Sequence, residues 1–237
     1  MPPPASGAAA DPLFGDDAAL AASGGFPDPL ERVNRQVFRF NVNVDHWVFD
    51  PITHVYELVV PAPARRAVRR ALANLNAPSV FVNDMLQLEP VDAGRTASRF
   101  ALNSTVGVAG LFDVAAAVGI DPHEADFGQT LALYGVPSGP FLMLPLIGPT
   151  TVRDGTGYLV DFWFRPTTYF LTPLVQIVVT SIREGTEGFT AHAVHGRQLD
   201  ALEAASIDFY AALKSAYYQD RVAQIWARRE RERVAVR

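Results

Sequence analysis

Apolar residues recur at alternating steps of three and four along Leu30, Val33, Val37, Phe40, Val44 and Trp47, the stripe expected of a helix turning every 3.6 residues. Phe38, Val42 and Phe49 make a second apolar side, and Arg32, Arg35, Arg39, Asn43 and His46 share the remaining face. Asp28-Pro29-Leu30-Glu31 predicts the start of this helix: an aspartate to cap it, a proline at the first helical position and a glutamate to close a capping box. A helix that is greasy on two sides is either sandwiched between neighbours or faces something other than water. Asp50-Pro51 ends the pattern, and Val59-Val60-Pro61-Ala62-Pro63 reads as a rigid turn.

A second helix is predicted over residues 64–76. Its apolar arc is Ala64, Ala67, Val68, Ala71, Leu72 and Leu75, and its polar arc is Arg65, Arg66, Arg69 and Arg70. Four arginines opposite a small apolar face suit either a solvated face or a helix lying against lipid headgroups. Ala77-Pro78 is expected to end it, because proline removes an intrahelical hydrogen bond. Further helices are predicted over residues 79–88 and 91–104, with Gly107 and Gly110 interrupting before a short apolar helix near residues 111–118. Residues 127–157 are apolar yet broken by Gly128, Gly135, Pro137, Gly139, Pro140, Pro145, Gly148 and Pro149, so no long helix is expected there. Backbone of this kind needs partners, and the segment is expected to be buried in protein or to lie at a membrane surface or cavity wall. Residues 169–180 suit helix or strand. Leu199, Leu202, Ser206, Phe209, Leu213 and Tyr217 mark a last helix. The reading is a mainly α chain: a flexible tether over residues 1–27, one helical domain over 28–227 with a Gly/Pro-rich apolar insert, and a charged tail over 228–237 that frays into solvent.

Composition sharpens this. Charged residues are 19% and hydrophobic residues 49% of the 237, and the charged fraction is below the ~25% of ordinary soluble domains. A net charge of −5 gives no footprint for nucleic acid. There is no cysteine, which excludes disulfides and thiolate chemistry. Met1-Pro2-Pro3-Pro4 is neither basic nor apolar, so a secretory signal and an acylated cysteine are not expected within these residues. Catalytic patterns are weak. Ser138 sits in Gly135-Val136-Pro137-Ser138-Gly139, the wrong order for a nucleophile elbow. His192 and His195 have metal-ligand spacing but no third partner. No enzyme activity, metal or cofactor is expected.

The blocks Asp28-Pro29-Leu30-Glu31-Arg32-Val33-Asn34-Arg35, Arg99-Phe100 with Asn103-Ser104-Thr105, Gly110-Leu111-Phe112-Asp113-Val114-Ala115, Asp126-Phe127-Gly128-Gln129-Thr130-Leu131, Tyr134-Gly135-Val136, Leu144-Pro145 with Gly148-Pro149, and Arg153-Asp154-Gly155 occur in this order. Ser206 with Asp208-Phe209-Tyr210 and Tyr217 with Gln219 and Arg221 follow. Together they resemble the MlaA (VacJ) family of Gram-negative bacteria over roughly residues 28–226. Leu88 stands where the family pattern has glycine after Leu86-Gln87.

The resemblance implies a ring of amphipathic helices embedded in the periplasmic leaflet of the outer membrane, lipid-anchored in the natural protein. It implies a phospholipid transport component that preserves outer-membrane lipid asymmetry. Misplaced outer-leaflet phospholipid would pass through a central amphipathic channel to a periplasmic MlaC-like lipid carrier, with a trimeric porin as partner. Under it, Phe141, Leu142, Leu144, Pro145 and Leu146 are candidates to line the lipid path, with Arg153 and Asp154 guiding the phosphate. Val37, Phe38, Phe40, Val44 and Trp47 are candidates for the membrane face. The competing readings are a non-conducting adaptor between porin and carrier, and a lipid hydrolase using Ser138.

Overall fold

Helices dominate the computed structural model, which describes residues 27–170 and 206–235. In chain order they are α1 (Glu31–Val44), a π-helical turn (Asp45–Phe49), α2 (Asp50–Val59), α3 (Ala62–Leu86), α4 (Pro90–Thr105), α5 (Val114–Ala117) and α6 (Phe127–Leu133). Strands β1 (Phe141–Leu144) and β2 (Gly148–Thr151) follow, then α7 (Val152–Phe164), α8 (Thr167–Phe170) and α9 (Phe209–Ala235). The expected features at His192, His195, Leu199 and Leu202, most of the proposed tether and most of the 169–180 segment lie outside the described residues.

The chain divides into two compact units, the first holding described residues 27–41, 127–158 and 206–235. Its core is conventional: Phe141, Met143, Tyr210 and Tyr218 are buried together, with Val37, Phe38, Leu213 and Tyr217 packed against them. The rings meet edge-on, Phe38 with Phe209 at 5.3 Å and Phe141 with Tyr210 at 6.0 Å, the geometry that aromatic quadrupoles favour. The apolar insert folds into an antiparallel hairpin, Phe141 opposite Thr151 and Leu144 opposite Gly148. Its turn uses left-handed backbone at Leu146 and Gly148. The breakers therefore exclude a long helix here, as expected, but the strands were not anticipated. At Gly157 a Cβ would come within 2.3 Å of the Gly128 amide nitrogen, so these two glycines let α6 and α7 touch backbone to backbone.

Two expectations about element ends are corrected in this unit. The first helix begins at Glu31, and the Asp28 carboxylate instead accepts hydrogen bonds from the Asn34 side chain at 2.8 Å, the Tyr210 hydroxyl at 2.5 Å and Lys214 at 3.3 Å. The C-terminal residues do not fray at Arg228. Helix α9 runs on, and Arg228 is buried, because it falls on the helical stripe that already buries Tyr210, Tyr218 and Ile225.

The second unit holds described residues 42–126 and 159–170. Here α3 passes straight through Pro78, against the expectation of a break. Proline inside a helix costs about 3 kcal/mol. Side chains on both sides of it are pinned: Asn74 donates to Ser104, Ser79 and Asn83 donate to Asp161, and Asp84 accepts from Thr96. At roughly 1 kcal/mol net per hydrogen bond, these contacts are enough to hold the helix continuous.

Candidate functional site

The hairpin and the surfaces around it hold most of the sequence-predicted residues, and α1 positions the hairpin. Asn34 and Asn41 lie seven residues apart on α1, about 10.5 Å along a helix. Asn34 donates to the Phe141 carbonyl at 3.1 Å and accepts from the Met143 amide at 2.9 Å. Asn41 repeats the pattern, donating to the Leu144 carbonyl at 3.0 Å and accepting from the Leu146 amide at 2.9 Å. Three residues of strand also span about 10 Å, so two carboxamides on one helix face match the free edge of β1 as a neighbouring strand would. That edge is thereby closed to other strands. Sequence reasoning missed this clamp. Its signal was the seven-residue asparagine spacing, hidden by reading α1 for its apolar stripes.

Strand alternation sorts the candidate path residues. Phe141 is fully buried in the core, whereas Leu142 and Leu144 are half-buried and Pro145 and Leu146 are exposed at the hairpin tip. Phe141 is thus a packing residue, and the tip and outer face carry the rest of the set.

Arg153 and Asp154, the candidates to guide the phosphate, are buried as well, at 4% and 9% exposure. Asp154 takes hydrogen bonds from Arg153 at 3.1 Å, Arg221 at 3.0 Å, Tyr217 at 2.7 Å and Thr151 at 3.0 Å. Burial alone would push its carboxyl up, but the charges and hydrogen bonds of Arg221 and Arg153 outweigh that and hold it well below the usual carboxylate range. The Tyr217 hydroxyl is raised, by burial first and then by the Asp154 charge. The cluster ties α9 to the hairpin's exit and is a structural tie rather than an open site.

The membrane-face candidates also divide. Val37 and Phe38 are partly buried and pack against the aromatic core. Val44 is half-buried, Phe40 is half exposed and Trp47 is 81% exposed. Ser138 is buried, its carbonyl accepting the Arg153 amide, and is not raised on an exposed elbow. His123 Nε2 lies 3.0 Å from both carboxylate oxygens of Asp84.

The second unit is inverted relative to a water-soluble fold. Among the described residues its fully buried apolar side chains are alanines, Ala93, Ala115 and Ala125, while Asn74, Ser79, Asn83, Asp84, Asp92, Thr96, Asn103 and Asp161 are buried. These polar groups are joined to one another. Asp113 caps α5 by accepting from the Ala116 amide, Arg99 donates to both Asp113 carboxylate oxygens at 3.1 and 3.0 Å, and Asn103 adds a third donor. Burial raises the Asp113 carboxyl, and the hydrogen bonds from Ala116, Arg99 and Asn103 bring it net below its ordinary value. Conversely, Trp47, Ile52, Val55, Leu58, Val59, Leu88, Phe112 and Trp163 are exposed. Polar side chains within and large apolar ones without suit a protein whose surroundings are lipid.

The MlaA lipoprotein family model matches residues 26–224. This chain belongs to the MlaA family. Among its relatives, the Escherichia coli (strain K12) intermembrane phospholipid transport system lipoprotein MlaA is 35% identical over 205 residues, covering 82% of this chain and 77% of that protein. The Haemophilus influenzae protein of the same description is 32% identical over 200 residues, covering 81% and 77%. A Rickettsia typhi protein without an assigned function is 33% identical over 199 residues, covering 84% and 78%. A solved structure from work on the structural basis for maintenance of bacterial outer membrane lipid asymmetry superposes with a TM-score of 0.69 at 32% identity, covering 84% of this chain and 98% of that one. The mainly helical MlaA fold is therefore common to both, and the family resemblance read from the sequence blocks holds.

Proposed function

We propose that this chain is the outer-membrane component of an intermembrane phospholipid transport system, which takes phospholipid misplaced in the outer leaflet and passes it to a periplasmic carrier. The inverted second unit carries the reading. A fully exposed large apolar side chain forgoes about 1.5–3 kcal/mol of burial, and Trp47, Leu58, Val59 and Leu88 each expose more than 70% of their surface. Acyl chains remove that penalty, while the asparagine and aspartate side chains inside satisfy one another by hydrogen bonds away from the lipid. Among the described residues no helix is long and apolar enough to cross a membrane, which favours residence in one leaflet, the periplasmic one in this reading. Leu142, Leu144, Pro145 and Leu146 at the hairpin's outer face and tip belong to the lipid path. The porin and MlaC-like partners and the lipid anchor complete the proposal, supported by the family resemblance.

The test is purification from membranes in mild detergent, followed by lipid mass spectrometry and native mass. Intact co-purifying phospholipid that is lost when Leu144 and Leu146 become asparagine is the expected result. Protein that stays monodisperse without detergent and carries no lipid overturns the reading.

A further inference from the structure

We infer that the first turns of α3 form a binding face for the phosphates of anionic lipids, with Arg66 and Arg70 as its charged groups. The inference rests on the membrane reading above and adds to it the headgroup chemistry and the residues that meet it. Residues 58–83 contain four arginines and no aspartate or glutamate. Arg65 and Arg69 are half-buried and already engaged within the protein. Arg66 and Arg70 are exposed and make no ion pair among the described residues.

Arg66 and Arg70 are one helical turn apart, about 6 Å along the axis, and so share a face. Val68 is displaced from Arg66 by roughly 200° around the helix, and Leu75, two turns further on, keeps to the side of Val68. Both are exposed, at 40% and 42%. A helix packed on a protein core shows one side to solvent. This stretch shows two opposite sides, one apolar and one cationic, as does a helix lying at the boundary between acyl chains and headgroups. The segment just before it agrees. Trp47, Ile52, Val55, Leu58 and Val59 are all exposed, and Val60-Pro61-Ala62-Pro63-Ala64 separates them from the arginines. The display thus changes from greasy to cationic over seven residues, Val59 to Arg66. The first turn of α3 contains no acidic residue to offset that charge. Arginine suits phosphate because its planar fork donates two parallel hydrogen bonds. An acidic protein surface would match the cations but not the exposed valine and leucine on the same helix, which is why lipid is the occupant chosen.

The test uses the purified full chain and flotation with vesicles of phosphatidylcholine alone or mixed with phosphatidylglycerol, across a salt series. The wild type is expected to prefer the anionic vesicles, with the preference falling as salt rises. Removing both charges in R66Q/R70Q is expected to cut binding to anionic vesicles about thirtyfold, from about 1 kcal/mol per surface cation, and to weaken binding to phosphatidylcholine vesicles far less, because the choline cation offsets the charge of that phosphate. R66K/R70K restores most of the preference if charge is the cause. An R66Q/R70Q protein with unaltered helical circular dichroism and undiminished anionic preference overturns the inference, as does equal binding of the wild type to both vesicle types. The membrane reading survives either result. Failure of the wild type to bind any vesicle removes both.

Discussion

Replacing Asp154 with alanine isolates the effect of burial on an ion pair, because a second pair in the same unit has tighter geometry but more solvent. Asp154 holds Arg153 and Arg221 at 3.1 and 3.0 Å, with side-chain exposures of 7%, 2% and 12% respectively. Arg35 and Asp208 meet through two bonds of 3.0 and 2.5 Å, but their side chains are 37% and 42% exposed. Judged by distance, the Arg35 pair is the stronger. Judged by solvent, removing Asp154 leaves two buried guanidinium groups facing each other and strips the Tyr217 and Thr151 hydroxyls of their acceptor. Breaking a buried pair this way costs about 3–5 kcal/mol, whereas an exposed pair contributes about 0–1 kcal/mol. For a chain of this size each kcal/mol moves the melting temperature by about 2–4 °C. Asp154→Ala should therefore lower it by about 6–20 °C and Arg35→Gln by no more than about 4 °C, read by circular dichroism in mild detergent. The pH dependence has a fixed sign. The Asp154 carboxyl is held below its unfolded value, so its stabilisation is complete above the unfolded carboxylate range and is lost as pH falls through the lower folded value. Asp154→Asn should melt lower than wild type at neutral pH and converge with it in strong acid. Equal losses for the Asp154 and Arg35 variants, or a gap between Asp154→Asn and wild type that widens in acid, would refute the reasoning.

Other substitutions have opposite signs built in. Leu88 is 79% exposed and holds φ at +59°, so Leu88→Gly should relieve left-handed strain of about 1–2 kcal/mol against a smaller entropic cost. Its melting temperature should rise by a few degrees, and a fall would show that lipid or detergent contact of the leucine outweighs the strain. Asn41→Ala removes two hydrogen bonds from the hairpin turn, worth about 1–2 kcal/mol together. Hydrogen exchange at the Leu146 amide should accelerate about tenfold while that at Met143, held by Asn34, stays near its wild-type rate. Gly157→Ala forces a methyl against the backbone of Gly128 and should cost about 3 kcal/mol or prevent folding. Gly94→Ala, with nothing within 4 Å of the new methyl, should instead stabilise α4 by up to about 1 kcal/mol. Thermal melts of the two variants side by side decide whether close approach or helix propensity governs each glycine.

Helix periods were legible because they depend on local geometry alone, and helices α1 and α9 form where the spacing predicts helix among the described residues. What spacing lacks is a statement of which solvent each face meets. In water an apolar side must turn inward, so one stripe identifies the core. In lipid both directions accept apolar side chains, and the two greasy sides of α1 carry no label. Val37 packs inward while Phe40 and Trp47 stay out, although all three share one stripe in sequence. The insert shows the same blindness. Its breakers rule out a long helix, but its pairing depends on Asn34 and Asn41, more than a hundred residues away. Pro78 misleads for a related reason, since local propensity predicts a break that distant hydrogen bonds prevent. The better guide to the inside of the second unit is its polar residues. Asparagine, serine and aspartate recur along α3 at Asn74, Ser79, Asn83 and Asp84, and α4 answers with Asp92, Thr96 and Asn103. A short polar side chain left in hydrocarbon without a partner costs several kcal/mol. Once apolar faces cease to discriminate, these residues are the ones forced inward, and the helices orient around them.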